Sequence, residues 1–124
     1  MKREIKFRAW VRRLDRMCNV TGIDFERNEI NILRPGWHMS EWLRRDQVEL
    51  MQYSGLDDVN GVNIYEGDIV EFEVGLIRAK AEVIYSRDQF IVDINGAMSR
   101  SLGAYFVKVI GNKFENQELL EASE

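Results

Sequence analysis

Between Asp68 and Val74 the chain alternates: Val70, Phe72 and Val74 are separated by Glu71 and Glu73. A period of two puts successive side chains on opposite faces, so such a segment is a strand with one face in a core and one in water. The pattern recurs three times. Ala79, Ala81, Val83 and Tyr85 alternate with Arg78, Lys80 and Glu82; Phe90, Val92 and Ile94 with Ile91 and Asp93; Tyr105, Val107 and Val109 with Phe106, Lys108 and Ile110. Turn residues separate them at Gly75, Arg87-Asp88 and Asn95-Gly96. Four short strands joined this tightly predict a small SH3-like barrel or a strongly bent sheet.

The N-terminal part follows the same rule. Ile5, Phe7, Ala9 and Val11 share one face, and Lys6, Arg8, Trp10 and Arg12 the other. A hairpin through Arg13–Arg16 brings back Met17–Val20, and an extended stretch follows over Ile23–Leu33 with a turn at Glu26–Glu29. Pro35, the only proline, marks a loop. Ser40 is placed to cap a short helix over Glu41–Arg45. Val48–Tyr53 reads as a strand, and Ser54-Gly55 and Asn60-Gly61 bracket a turn-rich connection. Asn116 caps a last helical turn. The expectation is a mainly β chain, α+β at most, with one or two short helices. An N-terminal β-hairpin lobe spans 1–47 and the barrel spans 48–124.

The run IYEGDIVEFE, residues 64–73, concentrates four carboxylates. Acid–base catalysis needs carboxylates in a water-poor cleft with their pKa values driven apart. A turn explains the same residues: Gly67 supplies an unusual backbone angle, Asp68 bonds the turn, and Glu71 and Glu73 form a solvated sheet face. The preceding acidic stretch fails as an EF-hand. With Gly61 at position 6, position 1 is Leu56 and position 12 is Gly67. A looser ion site at Asp57, Asp58 and Asn60 is the weaker alternative. One cysteine, Cys18, and one histidine, His38, cannot build a zinc site or a disulfide within the chain. No cofactor and no catalytic residue is expected. Cys18 reads as an idle, buried thiol and His38 as a surface or packing residue.

Charge is unevenly spread. The net charge of −4 divides into +5 over residues 1–45 and −9 over residues 46–124. Arg8, Trp10, Arg12, Arg13 and Arg16 interleave cations with an aromatic, a pattern that holds phosphates while a base stacks. Polarised halves also attract each other, within a subunit or between subunits. The favoured partners are therefore further copies of this chain or another protein, with nucleic acid second and no membrane. A charged N-terminus without an apolar core region and the single cysteine suggest a cytoplasmic protein. The candidate binding surface is Arg8, Trp10, Arg12, Tyr65 and Glu66. Gly55, Gly61, Gly67, Asp68 and Gly111 are candidate turn formers.

Three runs carry a resemblance: EIKFRAW at the start, LMQYSGLDDVNGVNIYEGDIVEF in the centre and VIGNKFENQELLE near the end. In this order they resemble the YopX family, small proteins of bacteriophages and prophages. Val11 stands where the family pattern usually has an acidic residue, and Ser54 where it usually has Thr. The resemblance implies a mostly β fold with a barrel-like C-terminal part and no known function, so it transfers no catalytic residue. The resulting expectation is a non-catalytic phage or prophage accessory protein that binds a macromolecule or itself. The alternatives are a nucleic-acid-binding protein and a carboxylate-dependent hydrolase using Glu66 and Asp68.

Overall fold

Most of the clearly alternating segments form strands; of the expected strand over Tyr105–Ile110, only the part from Lys108 onward is one, and Tyr105–Val107 is irregular. The computed structural model describes residues 4–94 and 98–121 and is mainly β, with two antiparallel sheets and one short α-helix. The chain divides into two compact units, Met1–Gln52 and Tyr53–Glu124.

In the first unit, β1 (Phe7–Val11), β2 (Arg16–Asp24), β3 (Glu29–Leu33), β4 (Glu41–Arg44) and the start of β5 (Val48–Asp57) lie in the order β4-β3-β2-β1-β5. The β1–β2 turn places Asp15 at φ +53°, and Leu14 N donates to Val11 O at 3.1 Å. The β2–β3 turn is organised by Asp24, whose Oδ1 accepts from Glu26 N and Arg27 N at 3.0 Å each. Ala9, Val11, Cys18, Ile30, Ile32 and Leu43 are inward residues of its core.

Glu41–Arg44 corrects one expectation, because it is a strand and not a helix. A segment this short has little helix stability of its own, so the partners the fold offers decide its form. Pairing with β3, from Glu29 opposite Arg44 to Ile32 opposite Glu41, gives their backbone partners and buries Leu43. Only a 3-10 turn follows, Arg45–Gln47, where Gln47 Oε1 accepts from Arg44 N at 2.8 Å.

In the second unit the end of β5 pairs with β6 (Asn63–Tyr65), and the register slips between Tyr53 and Asp57 around Gly55 at φ +90°. Then β7 (Asp68–Val74), β8 (Ile77–Ser86), β9 (Gln89–Ile94), β10 (Met98–Ser101) and β11 (Lys108–Asn112) form a sheet ordered β10-β9-β8-β7-β11. Helix α1 (Glu118–Glu121) follows. Val70, Phe72, Ala81, Val83 and Val92 pack with Ile64, Leu102 and Val107 into its core.

The expected barrel is not closed: β10 and β11 are the sheet's edges, and no pairing among the described residues joins them. The outward backbone of the β11 segment already has partners. Val109 N donates to Asp58 Oδ2 at 2.9 Å, and Val107 O accepts from Val59 N at 3.1 Å. The Asn95-Gly96 turn lies outside the described residues.

Candidate functional site

Arg8, Trp10 and Arg12 share one side of β1 by alternation, yet they do not form an exposed stacking platform. Trp10 is only 8% exposed, which corrects the reading of it as a solvent-facing ring. β1 lies between β2 and β5, and the register partners of Trp10 are Met17 and Glu49. The guanidinium of Arg12 bonds the Glu49 carboxylate and the Asp46 carbonyl, and Arg13 pairs with Glu41 at 2.9 Å. The exposed indoles of this unit are Trp37 and Trp42. The Arg34 guanidinium lies 4.3 Å from the Trp37 ring centre. Trp42 lies over Gly22, where a Cβ would meet Cη2 at 3.4 Å.

Tyr65 and Glu66 are half-buried, with the Tyr65 ring 5.6 Å from that of Tyr53. Gly67 has φ +86°; its N donates to Val83 O and its O accepts from Lys113 N, both at 2.8 Å. Asp68 is buried, and its Oδ2 accepts from Tyr65 N at 2.9 Å. That carboxylate closes the turn before β7. Gly61, at φ +82°, occupies the neighbouring turn. Gly111 allows close packing instead, since a Cβ there would come within 2.6 Å of Asn116 Oδ1. Cys18 is buried, and burial pushes its thiol pKa up, against the pull of Arg34 and Arg16. His38 is exposed.

The described residues contain no group of three or more His, Cys, Asp or Glu able to hold a metal, and the carboxylates of Asp57 and Asp58 are engaged by groups of the chain itself. Asp58 spends its carboxylate on the backbone. Oδ1 accepts from Asn60 N at 2.8 Å and Val62 N at 2.9 Å, while Oδ2 accepts from Val109 N. Burial raises its pKa, but these three bonds and nearby Lys108 outweigh burial and hold it below the usual carboxylate value. Asp57 stays on the surface, its Oδ1 accepting from Tyr53 OH and Asn63 Nδ2 at 2.6 Å each.

Asp58 thereby fixes one wall of a cleft of about 340 Å³. Leu56 and Val59 form this wall, and Gly103, Tyr105 and Phe106 form the other. Its lining includes Ile64, Leu102 and Val107, all buried core residues. Leu56, Val59 and neighbouring Val62 are exposed, and Phe106 is 91% exposed. Exposed apolar residues grouped around a hollow mark interaction sites more often than isolated ones do. A larger hollow of about 520 Å³ on the other side of Phe106 has charged walls, Glu71, Glu73, Arg78 and Lys108. In it Glu73 and Arg78 lie 3.5 Å apart and face water, an arrangement that contributes little to binding. The smaller cleft is the candidate functional site. Sequence reading missed it because its walls come from segments about fifty residues apart, and Phe106 reads only as the off-phase residue of a strand.

Fold and site together define a small two-unit, open-sheet β protein with an apolar cleft in its C-terminal unit. The YopX protein family model matches residues 6–121, nearly the whole chain, and the chain belongs to that family. Among solved structures it is similar to protein EF1440 from Enterococcus faecalis, at 27% identity and a TM-score of 0.68. That match covers 96% of this chain and 99% of the other. No curated protein matches it significantly. No helix among the described residues is long and apolar enough to cross a membrane.

Proposed function

We propose that this chain is a phage or prophage accessory protein of the host cytoplasm that acts without catalysis, by assembling with itself or binding a protein. One observation carries the reading: the cleft between Leu56–Val59 and Gly103–Val107 has an exposed apolar rim over core residues Ile64 and Leu102. Leaving Phe106 in water forgoes burial worth about 1.5–3 kcal/mol, and the partly exposed Leu56 and Val59 forgo a share of the same range. A partner that covers the rim recovers it.

The alternatives find less support. A carboxylate-dependent hydrolase would use Glu66 and Asp68, but Asp68 is buried and bonded to the turn. A nucleic-acid surface on β1 would use Trp10, which is buried, and Arg12, whose charge Glu49 answers. Native mass spectrometry of protein purified without nuclease tests the assembly and nucleic-acid readings at once. The expected spectrum is an oligomer free of nucleic acid and metal, or a stoichiometric complex with a co-purified protein. Retained nucleic acid, or a bare monomer at high concentration, would contradict the proposal.

A further inference from the structure

The C-terminal unit has a projecting apolar feature as well as a receding one. β7 and β8 are joined by the two residues Gly75 and Leu76, with Val74 opposite Ile77. Gly75, at φ +62°, makes the turn this tight. Leu76 is fully exposed and is the most exposed large apolar side chain among the described residues; Ile77 is 71% exposed. Hairpin tips are usually polar, because Gly, Asn, Asp and Ser suit the turn and water at once. A leucine and an isoleucine held on a two-residue turn form a stiff apolar finger, which loses little conformational entropy on docking.

Finger and cleft are comparable in size, and Arg78 beside the finger is opposite in charge to Asp57 beside the cleft. A hollow of about 340 Å³ is at the small end of the range for binding pockets, suited to a pair of branched aliphatic side chains. Arg78 follows the finger directly, exposed and only loosely paired with Glu73 at 3.5 Å. Asp57 stands exposed at the cleft. An apolar tip flanked by the Arg78–Glu73 pair would meet an apolar hollow with a carboxylate beside it, where Arg78 can exchange Glu73 for Asp57.

We propose that the β7–β8 tip of one copy docks into the 56–59/102–107 cleft of a second copy, with Arg78 facing Asp57. This rests on the self-assembly reading above and specifies its contact. Because finger and cleft are different surfaces, the contact is heterologous, and repetition gives a ring when the rotation closes and a filament when it does not.

Two substitutions separate the halves of the contact. Leu76→Asp charges the finger at a fully exposed position. Gly103→Leu fills the cleft: among the described residues other than its chain neighbours, a Cβ there would meet only Leu56 Cδ1, at 3.8 Å, an ordinary contact. Sedimentation velocity of the full chain should show concentration-dependent association of the wild type. Each variant alone should associate about 30-fold more weakly or worse, as for loss of an anchor residue. Mixed in equal amounts, the variants should form a dimer and go no further, because one retains the cleft and the other the finger. If Gly103→Leu fails to fold by circular dichroism, Phe106→Asp on the exposed rim replaces it. Association that survives both substitutions, or a mixture that stays monomeric, would overturn this contact and leave self-assembly through another surface. A wild type that is monomeric throughout would overturn both.

Discussion

Asp58 joins a turn to a distant strand through three backbone N–H donors, two from its own loop and one from Val109. Asp58→Asn keeps the shape and replaces one acceptor oxygen with a donor. The expected cost is about 1–3 kcal/mol in urea denaturation, the range for stranding a buried donor that had a charged partner. pH dependence follows from the lowered pKa. The carboxylate's stabilising contribution is complete above the unfolded value near ~4 and fades as pH falls through the lower folded value. Wild-type stability should therefore decline in that acid range, and Asp58→Asn should flatten the decline; parallel curves would contradict this role. At this scale the sequence suggests an acidic turn, since Asp58, Asn60 and Gly61 are turn formers. It does not reveal the bond to Val109, which depends on a chain return of 51 residues. Nor does the alternation that places Trp10 beside Arg8 and Arg12 show whether that face is covered.

Strands built from clean alternation are legible in the sequence. Val70 and Phe72 turn inward and Glu73 outward because one face of β7 is core and the other becomes wet toward its end, although Ile69 on that second face is buried as well. Shorter elements are less so. β4 has four residues, too few for a period to separate helix from strand, and its identity comes from pairing with β3. Leu43 provides the test. It is 6% exposed and packs with Ile30 and Ile32 in one core, so Leu43→Ala should destabilise the chain by about 2–4 kcal/mol in thermal or urea unfolding. A cost below about 0.5 kcal/mol would mean that β4 does not bury this residue. The expected barrel fails at the same scale. Alternation reveals strands, but closure depends on what the edge backbone bonds, and around β11 it bonds the Asp58 turn.

For the whole molecule, the charge asymmetry was the most visible sequence feature and the least specific. Several N-terminal cations are answered within their own unit, Arg12 by Glu49, Arg13 by Glu41 and Arg44 by Asp46. Both units expose large apolar side chains, but the C-terminal unit combines an exposed finger at Leu76–Ile77 with a cleft beside Phe106. Neither is a motif, and both need the fold before they can be seen. If this unit is where the protein makes its contacts, association should protect those segments and spare the rest. Amide hydrogen exchange on wild-type protein, compared between dilute and concentrated samples, measures this directly. The account predicts slower exchange on concentration in 56–62, 75–78 and 102–107, with β1–β4 unchanged. Protection confined to β1–β4, or no difference at any segment, would contradict it.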